Sequence, residues 1–567
     1  MPEAVAVPSA TQPGKQATNG TSAGGLPVVD TIPDLDSFPP TGTPIHDKLA
    51  SWDFYRSMGS PRRVVAPMVD QSELPWRILS RRYGSDLVYT PMINARLFVD
   101  EASKKSRSKY QEVNFNRSCG EEGAEVIDLA NGSEQDRGEG SSTDTDRPLL
   151  VQFCANDPQT LLKAAEVVQD RCNGVDLNLG CPQHIARRGH YGSFLMEDWP
   201  LIFSLINILH INLKVPVTAK MRVYDSVEKT IAYARMLERA GAQIITVHGR
   251  TREMKGHKTG LADWQKIRAV KQAVKVPVFA NGNILYPRDW HDAIETTTAD
   301  GVMSAEGNLY NPAIFADPMP AEATPMFPMA PALPFPSITA MANEYLDIVA
   351  ALRTPTAGSA IKAHFFRLCR PALEVHRDLR EMLGKSRFDP SKAGEARIES
   401  YRAFIAELER RLKVDRESGK YDQPLETPLP GSVSFLAPPP VSADGKEVED
   451  AHRPRYIPHW LAQPYFRPPL PVQEGEAGDE SRKARKERVK ETKGLTEIRD
   501  IQTEGEEKLE KQEMDLAKAE KEQGQGQDQG RDQAATASRP RSENGDAAAA
   551  ATTADGAARP EKKARVD

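Results

Sequence analysis

One cysteine of this chain stands where a thiol can take part in chemistry. Cys181 directly follows the apolar run 174–180 and stands in a Gly-Cys-Pro turn, which directs its side chain away from the core. A thiol with an ordinary pKa of ~8.5 is mostly protonated at neutral pH, so it can act as a general acid as well as a nucleophile. A lone cysteine is more often a small buried hydrophobe, and we interpret three others in that way: Cys154, Cys172 and Cys369.

The cysteine pattern as a whole argues against two kinds of site. The chain has five cysteines, including Cys119 in a polar stretch, and it contains no Cys-x-x-Cys pair. A disulfide scaffold and a zinc site of the usual spacing are therefore not expected. We predict reduced thiols, no bound metal, and a cytoplasmic and/or nuclear location.

Other polar residues also lie at the ends of apolar runs. A lysine in the position of Lys220 can stabilise the negative charge that builds on a reduced flavin, although a salt-bridged lysine is the ordinary interpretation. His248 can contact a cofactor or be an ordinary histidine at a rim. Gln152 suits hydrogen bonding to a ring carbonyl or ring N–H, because its amide both donates and accepts.

Two glycine turns indicate where an anion could bind. Asn281-Gly282-Asn283 and Glu306-Gly307 follow the last two apolar runs. Glycine allows backbone N–H groups to approach a phosphate closely, whereas the simpler interpretation is two tight turns that need a positive φ. As an adjacent pair, the turns favour a phosphate-anchored cofactor.

The elements that must position these residues repeat one pattern. Short β-branched runs alternate with amphipathic helical segments such as 158–170, 227–240 and 264–274. Near-continuous Val/Ile/Leu runs are typical of parallel strands buried on both faces, and eight units over about 250 residues predict a (β/α)8 TIM barrel. The alternative, an open doubly wound sheet, would need a glycine-rich first turn, which is absent. The runs are 63–68, 87–92, 149–155, 174–180, 215–222, 244–250, 276–282 and 301–307.

Composition divides the whole chain into a barrel, a small all-helical domain and polar extensions. The helical domain is expected to contain helices that include 364–370, 374–383 and 397–413. The predicted parts are a disordered tail (1–46), the barrel (60–330) with a flexible acidic insertion (101–147), the helical domain (337–415), a Pro-rich extension (416–470) and a charged low-complexity tail (471–567).

Charge and hydropathy narrow the possible partners. Seventy-four basic and 80 acidic side chains give a net charge of −6, which excludes a uniformly basic nucleic-acid binder but not a local basic face. The longest apolar stretch, 201–217, is interrupted by polar residues, so we predict no membrane span. We expect a monomer.

Cations follow Cys181 and recur in the helical domain. The loop 183–192 carries Arg187, Arg188 and two glycines, so it could clamp a phosphodiester or act as a lid, although solvated surface cations are the ordinary interpretation. Arg367 and Arg370 have the i, i+3 spacing of one helix face, and Lys362 precedes them. Such cations can hold an RNA backbone without reading its sequence.

Three motifs together resemble the tRNA-dihydrouridine synthase family. They are Val-Ala-Pro-Met-Val at 65–69, Leu-Asn-Leu-Gly-Cys-Pro-Gln at 177–183 and Ala-Asn-Gly-Asn-Ile at 280–284. Gly-Cys-Pro-Gln followed by Arg-Gly-His-Tyr-Gly at 188–192 is similar to the eukaryotic branch that acts on D-loop uridines 16 and 17. The resemblance covers about 60–415. The branch with added Cys/His zinc fingers is excluded, because the sequence has no such cluster.

The resemblance implies an FMN-binding barrel and a tRNA-binding helical domain. NADPH (or NADH) would reduce FMN, hydride would pass from flavin N5 to C6 of a flipped-out uridine, and Cys181 would protonate C5. The implied FMN contacts are Pro67, Met68, Val69, Gln152, Lys220, His248, Asn281, Gly282, Asn283, Glu306 and Gly307. The candidate RNA contacts are Arg187, Arg188, Lys362, Arg367 and Arg370.

Two alternatives stay open at this point. One is an FMN barrel dehydrogenase of a free small pyrimidine, which also places a cysteine after its fourth strand; the basic helical domain argues against it. The other is a non-catalytic RNA-binding barrel, which the presence of both Cys181 and Lys220 argues against.

Overall fold

A computed structural model of the protein describes residues 32–99, 146–256, 259–316, 335–352, 356–421 and 456–466. All of them belong to one compact unit, residues 1–493, and a second unit, 494–567, lies outside the described residues. The predicted tail before residue 32, nearly all of the predicted acidic insertion with Cys119, and the predicted charged tail also lie outside them.

The strands form a closed parallel barrel. They are β1 Arg63–Val65, β2 Leu87–Tyr89, β3 Ile93–Asn94, β4 Leu149–Cys154, β5 Gly174–Leu179, β6 Val217–Arg222, β7 Ile245–His248, β8 Val278–Asn281 and β9 Gly301–Ser304. Neighbours pair in the order β2-β1-β9-β8-β7-β6-β5-β4, and the pairing of β2 with β4 closes the ring. The two-residue β3 is an additional strand that pairs with β4. The prediction of an eight-stranded TIM barrel is confirmed.

Helices cover the outside of the barrel. They are α1 Ser51–Ser57, α2 Leu74–Arg82, α3 Ala95–Val99, α4 Pro158–Val168, α5 His184–Arg188, α6 Trp199–Asn212, α7 Val227–Ala240, α8 Trp264–Ala273, α9 Asp289–Thr297 and α10 Glu306–Tyr310. Local residues set several of these ends: the side chains of Asp157, Ser226 and Asp263 cap the N-termini of α4, α7 and α8. Gly241 ends α7 in the left-handed conformation (φ 113°), and a Cβ there would lie 2.4 Å from the His210 ring.

Helix α1 closes the end of the barrel at which the strands begin. Its Phe54 and Tyr55 belong to a buried cluster with Leu150 and Phe279 of the strands. The Tyr55 hydroxyl donates to the carbonyl of Asp300, one residue before β9, at 3.0 Å. An active site is therefore expected at the opposite end of the barrel, where the strands finish.

In the described part of the chain, five helices follow the barrel: α11 Ile338–Ala351, α12 Gly358–Leu368, α13 Arg370–Val375, α14 Leu379–Lys385 and α15 Glu399–Glu417. Two of the sequence-based predictions need correction. The predicted helix through 364–370 ends at Leu368, and Arg370 begins a new helix with Pro371 in its first turn. The predicted segment 374–383 is likewise interrupted between Val375 and Leu379. Proline lacks the N–H that a continuous helix requires, which accounts for the first break.

A buried polar contact joins the helical part to the barrel. Glu73, just before α2, has its carboxylate 3.0 Å from Nε2 of His364 and accepts a 2.7 Å hydrogen bond from the Tyr345 hydroxyl. The imidazole of His364 stacks on Trp76 of α2, with ring centroids 3.8 Å apart. Both side chains of the Glu73–His364 pair are almost fully buried. This polar contact therefore lies in the core between the barrel and the helical part.

The chain before α1 packs against the barrel helices, which corrects the predicted tail 1–46. Phe38 is buried and stacks on Phe203 of α6 with ring centroids 5.5 Å apart. The hydroxyl of Thr41 donates to the carbonyl of Arg239 at 2.6 Å. The Pro- and Thr-rich composition concealed one aromatic anchor, so the predicted tail extends too far along the chain.

A segment far along the chain, residues 456–466, returns to both parts of the fold. Tyr465 stacks on Tyr310 of α10 with ring centroids 5.1 Å apart, and the Arg370 guanidinium lies 4.2 Å from the Tyr465 ring. At its start, the Tyr456 hydroxyl donates to the carbonyl of Tyr421 at 2.6 Å. This part of the predicted Pro-rich extension thus belongs to the packed structure.

No single helix within the described ranges has the length and apolarity needed to cross a bilayer. Two consecutive helical stretches, His184–Leu195 and Trp199–Asn212, reach that length and apolarity only together, across a bend of 82°.

Candidate active site

The carboxyl ends of the strands bring most of the predicted residues to one mouth. In the strand register Asn178 lies opposite Lys220, and His248 lies opposite both Arg222 and Asn281. Asp176, in the middle of β5, lies opposite Gln152 of β4. Parallel strands finish at the same edge, which is why residues far apart in the sequence meet here.

The backbone around Cys181 is held by Asn178. The Oδ1 atom of Asn178 accepts hydrogen bonds from the backbone N–H groups of Gly180 (3.0 Å) and Cys181 (2.9 Å). The Cys181 side chain is half-buried and packs beside Cys154, Ala186 and Tyr191. The thiol therefore sits on a fixed turn, as the Gly-Cys-Pro pattern predicts. Cys154, Cys172 and Cys369 are buried, as expected.

The segment after Cys181 is packed against it. Residues 184–188 form helix α5, and Ser193 donates from both its backbone N–H and its hydroxyl to the Cys181 carbonyl, at 3.0 and 2.9 Å. Gly192 has φ +63°, and a Cβ there would lie 2.8 Å from the Cys181 carbonyl oxygen. The glycine is explained by this close approach to Cys181 without any hinge motion.

A row of hydrogen bonds connects Asn178 to the interior of the barrel. Asn178 Nδ2 donates to Gln152 Oε1 at 2.7 Å, and Gln152 Nε2 donates to Asp176 Oδ2 at 2.8 Å. The hydroxyl of Thr218 donates to the other carboxylate oxygen of Asp176 at 2.6 Å. Burial raises the pKa of Asp176 to about 6, although the hydrogen bonds from Gln152 and Thr218 oppose that rise. The sequence interpretation missed Asp176, whose only signal is one acid inside an apolar run.

Lys220 is the least satisfied cation at the mouth. No described residue accepts a hydrogen bond from its ammonium group or pairs with it within ion-pair distance. Burial, and next the positive charge of Arg222, lower the pKa of Lys220 to about 8. Desolvated ammonium groups of this kind need an anion or an acceptor, and here a ligand can provide one.

Two arginines that the sequence interpretation also missed frame the mouth. Arg222 donates to the carbonyls of Gly180 (2.7 Å) and Thr251 (2.8 Å), so it supports the turn of Cys181 from the other side. Arg250 donates to Asn283 Oδ1 at 3.0 Å, and its Nη1 lies 3.0 Å from His248 Nε2.

His248 is neutral in this setting. Burial and the cations around it, Lys220 first among them, hold the pKa of His248 well below its usual range. Since a guanidinium only donates, His248 Nε2 accepts from Arg250, and the imidazole proton lies on Nδ1. The ring therefore offers an N–H donor on its other side.

The Gly282 turn lies beside Arg250 and His248, and close packing explains the glycines of both turns. A Cβ on Gly282, which has φ +116°, would lie 2.6 Å from the Ala262 Cβ. A Cβ on Gly307 would lie 2.1 Å from the Ile284 carbonyl oxygen. The hydroxyl of Ser304, next to Gly307, is buried and has no hydrogen-bond partner among the described residues.

The remaining predicted contacts differ in exposure. Met68 follows β1 and is half-buried, its backbone N–H donating to the Ser72 hydroxyl at 3.0 Å, whereas Val69 is exposed. Pro67 precedes them, and Glu306 begins α10. Asn281 is buried and donates to the carbonyl of Met303 at 2.8 Å, so its side chain ties β8 to β9.

Three of the cations expected to face RNA are engaged within the protein. Lys362 donates to the carbonyl of Gly384 at 2.6 Å, and Arg367 donates to Gln71 Oε1 at 2.6 Å. Arg370 stacks on Tyr465 and belongs to a different helix from Arg367, so the two do not share one helix face. Arg187 and Arg188 are exposed at the end of α5.

Comparison with known proteins identifies the family. The dihydrouridine synthase family model matches residues 64–406, from β1 into α15. The chain belongs to the dihydrouridine synthase family. It is similar to the tRNA-dihydrouridine(16/17) synthase [NAD(P)(+)] of Saccharomyces cerevisiae, with 43% identity over 74% of this chain and 87% of the relative. It is also 41% identical to the protein of that name from Schizosaccharomyces pombe, over 74% of this chain and 92% of the relative.

A mammalian relative extends the comparison. The tRNA-dihydrouridine(16/17) synthase [NAD(P)(+)]-like protein of Mus musculus is 40% identical over 79% of this chain and 78% of its own length. The resemblance inferred from residues 65–69, 177–183 and 280–284 is therefore confirmed at the level of the family.

The residues at the mouth of this family member fit FMN. A flavin mononucleotide requires cations for its phosphate and polar partners for its ring. Arg250 and the His248 ring lie beside Gly282, and the Ser304 hydroxyl, which has no hydrogen-bond partner among the described residues, lies beside Gly307. Lys220 supplies an ammonium group that no residue in the described ranges pairs with.

Proposed function

We propose that this protein reduces uridine to 5,6-dihydrouridine in tRNA, at positions 16 and 17, with NAD(P)H as the reductant. Membership of the dihydrouridine synthase family supports the reaction, and the fungal relatives, which are named as tRNA-dihydrouridine(16/17) synthases [NAD(P)(+)], support the substrate positions and the nucleotide. The observation that carries the proposal is the placement of Cys181 on a turn held by Asn178, one strand from Lys220, whose ammonium group has no partner among the described residues.

FMN is the proposed resident cofactor. Lys220 and Gln152 would face its ring, and His248, Arg250 and the Gly282 and Gly307 turns would hold its phosphate. When bound, the flavin supplies the hydride that adds to C6 of the uracil ring. The contacts implied for Pro67, Met68, Val69, Asn281, Asn283 and Glu306 belong to the same proposal.

The residues of the chain itself bind and orient the uracil ring and protonate it at C5. Cys181 donates the thiol proton to C5 as the C5–C6 double bond is reduced, so hydride and proton together complete the saturated ring. Asn178 and Arg222 hold the backbone on both sides of the thiol, which limits the loss of orientation during the step. Arg187 and Arg188, exposed at the end of α5, are the proposed contacts to tRNA phosphates near Cys181.

The first experiment follows the flavin spectrum of the full-length protein. Purified protein is reduced anaerobically with NADPH or NADH and then mixed with unmodified tRNA, with free uracil in a parallel sample. A tRNA in which cytidine replaces uridines 16 and 17 is the matched control. We expect reoxidation by the unmodified tRNA alone, with dihydrouridine detected at those positions by mass spectrometry.

Each other outcome contradicts a defined part of the proposal. Reoxidation by free uracil but not by tRNA would indicate a dehydrogenase of a small pyrimidine. Protein that fails to bind added FMN would overturn the enzymatic proposal. For Cys181→Ala we expect normal reduction by NADPH but about a hundredfold or greater loss of tRNA reduction, because only the proton donor is removed.

A further inference from the structure

A cluster of two histidines and one aspartate lies in the helical part. His376 follows α13, Asp415 lies in the last turn of α15, and His459 belongs to the segment 456–466. The Nε2 atoms of His376 and His459 lie 2.7 and 2.8 Å from the same atom, Oδ2 of Asp415. The three candidate ligand atoms all lie within 4.8 Å of one another.

We propose that His376, Asp415 and His459 bind one divalent transition-metal ion of the zinc class. Two imidazole nitrogens and one carboxylate oxygen are a donor set that suits Zn²⁺ and Co²⁺. Tetrahedral ligation at ~2.0–2.1 Å separates ligand atoms by about 3.3 Å. Each nitrogen would therefore move about half an ångström away from Oδ2, and the two nitrogens, now within 4.8 Å of each other, would settle at that same separation. The fourth position would be taken by water.

Metal binding would exchange hydrogen bonds for coordination bonds. Because a carboxylate oxygen accepts, each Nε2 donates a hydrogen bond to Asp415, and ligation through Nε2 requires that this nitrogen give up its proton. The carboxylate supplies one negative charge toward the ion, as zinc sites with a carboxylate ligand require.

The charges around Asp415 support a cation at this place. Among the described residues, no lysine or arginine pairs with the Asp415 carboxylate; only the two histidines contact it. The arginines nearest along α15 have other partners, Arg411 with Asp378 and Arg416 with Glu409. A largely buried carboxylate is thus left without a permanent cation.

The residues around His459 also exclude water from that side of the cluster. The His459 side chain is 2% exposed, and its ring meets the ring of Tyr421 edge-on at 4.6 Å and that of Trp460 at 5.1 Å. Aromatic surroundings hold a ligand ring in a single orientation and lower the local dielectric constant, which strengthens coordination. The exposed fraction of His376, 15%, leaves the ion a route to solvent.

An ion here would fasten the segment 456–466 to the helical part. The carbonyl of Trp460 accepts from the backbone N–H of Ile338, and Tyr465 reaches Tyr310 of the barrel. The expectation of no metal rested on cysteine spacing. These ligands are 39 and 44 residues from each other along the chain, so no spacing motif reports them.

The test uses the full-length protein, stripped with a chelator and then titrated with ZnCl₂. Bound zinc is counted by elemental mass spectrometry after desalting, and thermal unfolding is followed in parallel. His376→Gln is the informative variant, because its amide can still donate to Asp415 but is a poor zinc ligand. Asp415→Asn and His459→Ala remove the other ligands, and His46→Ala is the control.

We expect one zinc ion per chain and a zinc-dependent rise in the unfolding temperature for wild type and His46→Ala. We expect affinity at least about tenfold weaker in all three cluster variants. Zinc retained at full stoichiometry by the variants would assign it to an adventitious site and overturn the proposal. If the wild-type protein binds no zinc and His376→Gln is as stable as the wild type, the three side chains only form hydrogen bonds with one another, and the proposal is overturned. Neither zinc binding nor thermal unfolding depends on tRNA reduction. Failure of the zinc proposal can therefore be distinguished from failure of the proposed function.

Discussion

Asn178 and Cys181 form one structural unit: the side-chain oxygen of Asn178 accepts from the Cys181 backbone N–H at 2.9 Å and also from that of Gly180. Its amide nitrogen donates to Gln152. The turn that presents the thiol is thus tied through one side chain to the polar row inside the barrel.

Asn178→Ala removes all three of these hydrogen bonds. We expect tRNA reduction to fall by about a hundredfold, because the thiol is no longer held in place, while reduction of the bound flavin by NADPH changes little. Stopped-flow measurement of the two half-reactions checks this. Asn207→Ala, which removes one amide hydrogen bond to the carbonyl of Ala240 on the barrel exterior, should leave both rates unchanged.

Gly192→Ala tests the packing of the segment after Cys181. Alanine at φ +63° brings a Cβ to 2.8 Å from the Cys181 carbonyl oxygen, so we expect at least about tenfold slower tRNA reduction. Gly394→Ala is a matched control, because Gly394 has φ +54° and nothing within 4 Å of the added Cβ. Both variants should lose about 1 kcal/mol of stability from backbone strain. Equal activity in the two would contradict the role of this contact.

The ammonium group of Lys220 should make FMN binding depend on pH. Burial lowers the pKa of Lys220 to about 8, so the charged form is present below that pH and is lost above it. If the ammonium holds the flavin, affinity for FMN falls by up to about tenfold between pH 7 and pH 9. Fluorescence titration of the flavin-free protein measures this. Lys220→Met should bind FMN weakly, with no such pH dependence.

Asp176→Asn should shift that pH profile. The Asp176 carboxylate raises the pKa of Lys220, so its neutral replacement should move the midpoint for FMN binding below 8. The folded protein should also gain stability at neutral pH. Because burial raises the pKa of Asp176 to about 6, its ionisation above that pH favours the unfolded state. An unchanged midpoint would indicate that Lys220 does not respond to Asp176.

Glu73→Ala tests the buried contact between the barrel and the helical part. Removing one partner leaves His364 and the Tyr345 hydroxyl buried and unpaired, so we expect a loss of about 3–5 kcal/mol in urea unfolding. Burial opposes ionisation of Glu73, but the contact with His364 outweighs it and lowers the pKa of Glu73. The stabilisation is therefore present above the ordinary pKa of a glutamate and is lost as pH falls through the lowered value. Glu381→Ala, in an exposed ion pair with Lys385, should have no measurable effect.

Local sequence patterns were sufficient to predict the barrel and the turn on which Cys181 lies. Each strand was visible as an apolar run, and the residues that end those runs meet because parallel strands share one edge. The same logic placed Lys220 and His248 at the mouth, whereas Gln152 is fully buried inside the barrel, two residues before the end of β4.

Contacts between distant segments could not be predicted in the same way. Arg367 looked like a surface cation, but it donates to Gln71 because the helical part packs against α2. Phe38 was hidden in a polar, Pro-rich stretch, and Asp176 stood alone in an apolar strand. Periodicity reports which face of an element is buried, but not which distant side chain completes it.

The segment 456–466 makes its own contacts along its whole length: Tyr456 bonds to Tyr421, the Trp460 carbonyl accepts from Ile338, and Tyr465 stacks on Tyr310. Its position on the fold is therefore set by noncovalent contacts with both the helical part and the barrel. In this respect the segment resembles a peptide ligand that is supplied by the protein's own chain.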